Sequence, residues 1–282
     1  MDKTVAKAFL LMEELARNGE PQGVTELAQR LGLGKSNVHR LLQTLLALKY
    51  VRKTSGGYTA TLRMWEFGHS IVSNIALRDV ARPYMRKLSD LTNEAVHLSE
   101  YQDGEVIYLD KIESKEPVRA YTQLGGRAPA NCTATGKIIL AHLDPNEVRE
   151  VFEQVVAITA NTITNVERFL EEAAINRQRR YALNRGEWRA DIIGLASPVA
   201  DKTGTVVAAI GISAPASRLS ITDIEKYVPD LVQTGRDVSQ ELGCSAADWD
   251  RLAEDVVSGQ SRSGAGFGPV VQQEYIKERV AE

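Results

Sequence analysis

Cysteine is scarce in this 282-residue chain: Cys132 and Cys244 are its only two, too few for a disulfide framework or a multi-cysteine zinc site. Histidine is nearly as rare, at positions 39, 69, 97 and 142, without the HxxxH or HExxH spacing of a catalytic zinc centre. No apolar run approaches the ~20 residues of a membrane span, VVAAIGI (206–212) being among the longer ones. The N-terminal MDKTVAKAFLLMEELARNG sets acids among its apolar residues and has no signal-peptide core. Phosphate-cradling GxxxxGK[ST] and dinucleotide fingerprints are missing, and Leu124-Gly125-Gly126-Arg127 reads as a turn. These absences predict a soluble, cytoplasmic protein with reduced thiols, no metal, no cofactor and no membrane partner.

Acidic residues are missing from one stretch in particular. Between Leu27 and Trp65 there is no Asp or Glu, while seven Lys and Arg fall there; at the chain-average frequency about five acids are expected. Residues 1–70 hold ten Lys and Arg against six acids, a balance of +4, and the remainder carries −7, although the whole chain is only −3. With 43% hydrophobic and 25% charged residues, this is a globular chain of two-domain length in which a small basic module precedes a larger acidic one.

In the basic module, Val5, Ala8, Phe9, Met12, Leu15 and Ala16 recur at helical spacing and predict one apolar face, ended by Asn18-Gly19 and Pro21. A second helix is predicted from Thr25, whose hydroxyl would cap it, burying Leu27, Ala28 and Leu31. Gly32-Leu33-Gly34 breaks the chain, and SNVHRLLQTLLALKY predicts a third helix burying Val38, Leu41, Leu42 and Leu45. Two short helices joined by a Gly-containing turn form a helix-turn-helix. On the outer face of the third helix Ser36, His39, Arg40 and Gln43 share a stripe, with Lys35 and Asn37 at its start. Arg pairs with guanine and Gln or Asn with adenine, while Ser and Lys suit phosphates. Residues 50–54 and 58–60 flank Ser55-Gly56-Gly57 as a hairpin, a wing whose Arg52 and Lys53 reach phosphates. The stripe by itself is also compatible with an interaction module facing water; the wing and the acid-free window favour double-stranded DNA.

Met64–Ser73 and Leu77–Leu91 show helical periodicity, with a break or kink expected near Ala81–Pro83. Trp65, Phe67, Ile71 and Val72 would pack either on their own wing domain or against a second copy. From residue 95 the period changes: EVIYLDKI (105–112) and PVRAYTQ (117–123) read as strands, helices follow at about 134–142, 145–157 and 165–180, and IIGLASPVA (192–200) pairs with TVVAAIGIS (205–213) across Asp201–Gly204. Thr164–Glu167 and Thr222–Glu225 read as capping boxes, the second opening a helix to about Leu242. Strands, segregated helices and strands again indicate an α+β domain with an antiparallel sheet.

Two segments carry ligand-binding chemistry. Asn131–Gly136 precedes a helix and offers amides and hydroxyls to a carboxylate, and loop 184–190 groups polar, aromatic and cationic side chains, with Trp188 and Arg189 as candidate ring and carboxylate contacts. Cys132 with His97 or His142 could be imagined as a thiol–imidazole pair, but no nucleophile motif surrounds it, so no catalytic residue is assigned. A constitutive DNA-organising protein without an effector is the alternative reading.

GVTELAQRLGLGKSNVHRLLQTLLALKYV resembles the DNA-binding segment of the IclR family of bacterial transcriptional regulators. The resemblance continues, in order and spacing, through LRDVARPYMRKLSDLTNEAVHLS, LGGRAPANCTATGKIILAHL and GLASPVADKTGTVVAAIGISAPASRLS, covering about residues 5–243. It implies a winged helix-turn-helix (1–63), a linker helix (64–76) and a GAF/PAS-like effector domain (77–243), working as a dimer or a dimer of dimers on operator DNA and answering to a small molecule, an organic acid being expected. By position it implies effector contacts at Ala134, Thr135, Asn184, Gly194, Gly211 and Ser213, and it favours the dimer seam for the linker helix. Asn184 stands where the family often has an acid, and Gly194 where it often has Cys, Ser or Ala. The two glycines, 194 and 211, lead to the expectation of a roomier pocket floor and a ligand bulkier than a two- or three-carbon acid. Beyond Gly243, Ser245–Val257 could form a helix, and much of 244–282 is expected to be a disordered tail.

Overall fold

The fold is described from a computed structural model, which covers residues 3–73, 76–118 and 122–254. The chain divides into two compact units, Met1–Asn74 and Ile75–Glu282.

The first unit holds α1 (Lys3–Asn18), α2 (Val24–Leu31), α3 (Lys35–Ala47), the hairpin β1 (Val51–Thr54) and β2 (Gly57–Ala60), and α4 (Arg63–Ser73). Its core is Leu11, Met12 and Leu15 of α1, Leu27 and Ala28 of α2, and Val38, Leu41, Leu42 and Leu45 of α3, closed by Val51 and Tyr58. The predicted face of α3 is therefore the buried one. That of α1 is rotated: Leu11 is buried, whereas Val5 and Ala16 are exposed and Phe9 keeps 60% of its surface in solvent. An all-apolar run such as Phe9-Leu10-Leu11-Met12 fits two adjacent stripes, and packing against α2 and α3 selects one.

Helix α2 is not capped by Thr25. It starts one residue earlier, after an extended Gly23 with no side-chain cap, and ends on left-handed Gly32. Gly32 donates its amide to Gln29 O at 3.3 Å, and Leu33 donates to Ala28 O at 2.9 Å, the exchange of bonds that closes a glycine-terminated helix. The wing is anchored to the loop before α2 by reciprocal bonds, Gln22 N to Tyr58 O at 3.0 Å and Tyr58 N to Gln22 O at 2.9 Å. Gly57 is required there: its φ is 138°, and a Cβ would lie 2.5 Å from Gln22 O.

The second unit is built on one antiparallel sheet, in the order β5-β4-β3-β8-β7-β6, of β3 (Ala95–Gln102), β4 (Glu105–Ile112), β5 (Arg127–Pro129), β6 (Ala182–Arg185), β7 (Ile192–Ala200) and β8 (Val206–Pro215). Its helices are α5 (Ala76–Thr92), α6 (Ala134–Leu140), α7 (Pro145–Phe152), α8 (Val166–Arg179), α9 (Ile221–Ile224), α10 (Val228–Glu241) and α11 (Ala246–Arg251). Leu77, Ala81, Met85 and Leu88 of α5 join Leu231 and Val238 of α10 over Val96, Leu98, Leu195 and Ile210 of the sheet. A separate cluster joins Ile138 and Ile139 of α6 to Ala182, Ala196 and Ala209. With both faces covered, β3 is buried from Ala95 to Ser99, so His97 and Ser99 are not solvent-facing as a half-exposed strand would have them.

Several expectations need correction. Helix α5 runs through Pro83 without a break; burial of its Leu77–Leu88 face compensates for the hydrogen bond that proline removes. Residues 117, 118, 122 and 123 form no strand, and 119–121 lie outside the described residues. The free edge of β4 is occupied instead by β5, where Glu105 pairs with Pro129, and by the turn before it, Gly125 N donating to Tyr108 O at 2.9 Å. Helix α7 stops at Phe152. Asn165, not Thr164, caps α8, accepting from Arg168 N, and the second capping box is Ser220 with Asp223. The helix read from Ser245 is present as α11, capped by Ser245, but it is no part of a loose tail: Cys244, Trp249 and Leu252 are buried with α6, β7 and β8. Residues 255–282 lie outside the described residues, as do the side chains of Ile71 and Val72.

Candidate DNA-reading surface and effector cavity

The third helix presents its stripe outward because Val38, Leu41 and Leu42 point inward. Lys35, Ser36, His39, Arg40 and Gln43 are exposed and Asn37 is half-buried, with no acid on α3. On the wing, Arg52 and Lys53 are exposed. Arg52 Nε donates to Thr59 Oγ1 at 3.1 Å, and the Lys53 ammonium lies 5.9 Å from the centre of the Tyr58 ring; both cations are steered along the hairpin rather than free to collapse. Two further cations were missed in the sequence. Lys49 and Arg63 line one cleft with Arg52, Lys49 at left-handed φ 62° and Arg63 with its guanidinium 5.3 Å from the Tyr50 ring centre. Their flanking of the wing on both sides is the signal that would have found them.

In the second unit all eight expected effector positions, Ala134, Thr135, Asn184, Trp188, Arg189, Gly194, Gly211 and Ser213, line a single cavity of about 50 Å³, together with His97, Tyr108, Thr122 and Thr133. Among the described residues no Asp or Glu lines it. The sheet supplies the floor, the start of α6 one wall and the segment after β6 the other.

Each wall is held by its own bonds. Thr133 caps α6, its hydroxyl accepting from Gly136 N at 3.1 Å, so that amide is already satisfied within the chain. Asn184 donates from Nδ2 to Cys132 O at 2.6 Å and accepts from Gly186 N at 2.7 Å. The Arg189 guanidinium stacks 5.1 Å from the Trp188 ring centre, a contact in which ring and cation move together.

The expected roominess at the glycines is absent. A Cβ on Gly211 would lie 2.9 Å from Thr135 Cγ2 and 3.1 Å from Leu195 O, and one on Gly194 would lie 3.2 Å from Ile212 O. The space these glycines leave is filled by neighbouring strands and by α6, whose close approach requires them; the inference of a bulkier ligand loses its basis.

His97, singled out in the sequence only as an imagined thiol partner, faces the cavity. Its Nε2 is hydrogen-bonded to Ser213 Oγ at 2.7 Å, its Nδ1 lies 3.3 Å from Thr122 Oγ1, and its ring meets Tyr108 edge-on at 5.4 Å. Burial, reinforced by Lys111, lowers its pKa to about 4, so the imidazole is neutral at pH 7 and offers one donor and one acceptor. Burial pushes the Tyr108 phenol up to about 12. The Cys132 thiol is also pushed up, to about 11, by burial and then by Glu187, which keeps it protonated and unsuited to nucleophilic attack. Among the described residues no His, Cys, Asp and Glu grouping could hold a metal ion.

Comparison with known proteins gives one answer along the chain. Residues 4–55 match the family model described as the IclR helix-turn-helix domain, and residues 69–240 match that of the bacterial transcriptional regulator IclR C-terminal region. The HTH-type transcriptional regulator KdgR of Dickeya chrysanthemi is 36% identical over 244 residues, spanning 85% of this chain and 80% of KdgR. The crystal structure of the Thermotoga maritima IclR superposes with a TM-score of 0.73 at 28% identity, covering 86% of this chain and all of that one. An IclR homologue from Microbacterium hydrocarbonoxydans, solved in complex with 4-hydroxybenzoate, shares the fold with a TM-score of 0.74 at 22% identity, over 85% of this chain and 99% of its own. The chain belongs to the IclR family of bacterial transcriptional regulators, with a helix-turn-helix DNA-binding domain followed by the family's C-terminal effector domain.

Proposed function

We propose that this regulator reads operator DNA through Lys35, Ser36, Asn37, His39, Arg40 and Gln43 of α3, with Arg52 and Lys53 on adjacent phosphates, and that a small organic acid in the cavity of the second unit changes its operator affinity. The observation that carries the ligand class is the charge of the lining: one guanidinium, that of Arg189, a neutral His97, hydroxyls from Thr135 and Ser213, and no carboxylate among the described residues. Such a lining favours a monoanion and disfavours a cation, which would lose its hydration without gaining a counter-charge. At about 50 Å³ the cavity holds only a few atoms, so a metabolite-sized acid enters by displacing the Trp188–Arg189 segment outward, Arg189 being exposed and Trp188 half-buried. Differential affinity of the acid for the two arrangements is what could shift DNA binding.

Self-association belongs to the same reading. Phe9 and Leu10 on α1, and Leu62, Trp65 and Phe67 at or beside α4, are exposed, and large apolar side chains left in water in this number are the material of a protein–protein seam. A second copy seated there would pair two reading helices on two half-sites.

The test is a thermal-shift screen of carboxylic acids against matched amines and neutral alcohols, followed by operator titration with the best binder. A specific ligand raises the melting temperature by mass action. Stabilisation by acids only, abolished in Arg189→Gln, is the expected result; preference for an amine overturns the ligand class, and no stabilisation by any compound favours a constitutive DNA-organising protein.

A further inference from the structure

The ammonium of Lys137 is completely buried, an unusual place for a lysine unless its charge is matched. It sits on α6, one turn beyond Ala134 and Thr135 of the cavity wall. Its Nζ donates to Glu187 Oε1 at 2.8 Å and Leu183 O at 2.8 Å, and pairs with Glu172 Oε1 at 2.6 Å. Helix α6, helix α8 and the segment after β6 thus meet on one nitrogen. The second oxygen of Glu187 accepts from the Arg185 amide, so this carboxylate is engaged at both oxygens and is itself buried. The next two residues in the chain are Trp188 and Arg189.

We propose that Lys137 is a positioning residue for effector recognition: by holding Glu187 in the interior it fixes the base of the Trp188–Arg189 segment, and with it the place where the ligand's anionic group is received.

The physical reason is the cost of the alternative. Without the ammonium, Glu187 is a buried carboxylate that has lost its ion pair, while Glu172 keeps Arg185 Nη1 at 3.3 Å. A carboxylate in that position either takes up a proton or leaves for water, and leaving carries Trp188 with it. The backbone of the segment has other ties, Thr159 Oγ1 to Gly186 O at 2.7 Å and Thr162 Oγ1 to Glu187 O at 2.7 Å, but neither neutralises the charge. Position 137 therefore governs the side chain of Glu187 and the two residues after it, while the rest of the sheet keeps its own core.

The inference rests on Trp188 and Arg189 being ligand contacts, yet its test needs no ligand, so the two can fail separately. The full chain has three tryptophans, at 65, 188 and 249, which give three fluorine resonances when labelled with 5-fluorotryptophan. In Lys137→Met the Trp188 resonance is expected to shift or broaden and the Arg185–Glu187 amides to exchange at least tenfold faster, while Trp249, buried against the same helix, stays in place. In the double variant K137M/E187Q, which leaves no unmatched charge at Glu187, Trp188 is expected to return toward its parental position. An unmoved Trp188 in K137M, equal changes at Trp188 and Trp249, or a double variant worse than K137M overturns the proposal. If K137M does not fold, Glu187→Ala decides, because it removes the whole tether while Lys137 stays paired with Glu172: movement confined to Trp188 supports the tie, and no movement overturns it.

Discussion

His97 and Ser213 are hydrogen-bonded at 2.7 Å across neighbouring strands, and this bond faces the candidate effector cavity from the central pair of the sheet. It ties the titration of the imidazole to the folded state. Burial lowers the His97 pKa from 6.5 to about 4, so between those values the unfolded chain binds the proton and the folded one refuses it. Stability is therefore full above pH 6.5 and falls as the pH drops through the window, by about 2 kcal/mol at pH 5 from this residue alone. Unfolding free energies from urea titration of the parent and His97→Gln at pH 7.5 and pH 5 should differ by that amount in their acid loss. Equal losses in the two proteins would show that His97 is not shielded as described.

Gly211 and Thr135 set a second limit. A methyl placed on residue 211 would lie 2.9 Å from Thr135 Cγ2, so Gly211→Ala should push α6 off the sheet and cost about 1–3 kcal/mol, the usual penalty for one group too many in a packed core. Thr135→Ser removes the atom in the way. The pair G211A/T135S should recover at least half the loss, measured by denaturant unfolding, although Leu195 O at 3.1 Å keeps the rescue partial. A double variant no more stable than G211A would place the strain between the strands instead.

The sequence carried those parts of the fold whose causes are local. The β7–β8 hairpin is legible because Asp201–Gly204 is a turn with a mechanism: Asp201 Oδ1 accepts from Thr203 N at 2.8 Å and Gly204 has φ 75°. The buried face of α3 is legible because its apolar residues have only one helical arrangement. The eight effector positions reach one cavity because their order follows a shared topology. What escaped depended on distant partners. Lys137 reads as a surface lysine until Glu187, fifty residues away, is placed against it. The helix after Cys244 was legible but its burial was not, because the site that receives Trp249 is assembled from strands far earlier in the chain. The rotation of α1 and the continuity of α5 through Pro83 were likewise decided by tertiary packing, which overrides local preference.

Trp249 yields a prediction of its own. It is 2% exposed, in a cluster that includes Ala134 of the cavity wall, although it lies beyond the stretch that matches the family model. Trp249→Ala should destabilise the second unit by about 3–5 kcal/mol, and deletion from Cys244 onward should do at least as much. Both are read from denaturant unfolding followed by far-UV circular dichroism. A loss under about 1 kcal/mol would mean that α11 rests on the domain without belonging to its core.

Substituting Arg40 and Lys53 tests the proposed division between base reading and phosphate contact. Both are exposed cations on the first unit, one on the outer stripe of α3 and the other on the wing. On an operator recovered by selection from random duplexes, Arg40→Ala should cost about 1–3 kcal/mol and relax preference at one base pair. Lys53→Ala should weaken all sequences alike and make binding less salt-dependent, by about one released ion. Equal, sequence-independent losses for the two would move Arg40 to the backbone.

Trp65 and Phe9 test whether reading requires two copies. Trp65 keeps 64% and Phe9 60% of its surface exposed, and neither belongs to the core of its own unit. If they seat a second copy, Trp65→Glu and Phe9→Glu lower the mass seen in sedimentation, and Phe9→Glu leaves the melting of the chain nearly unchanged, because a charge placed in an apolar seam opposes association and not folding. Operator affinity should fall by more than tenfold, since two linked half-site contacts become one, although α3 and the wing are untouched. If the substitutions left both mass and affinity at parental values, the apolar surface of α1 and α4 would not be the seam, and the pairing of reading helices would have to come from the second unit.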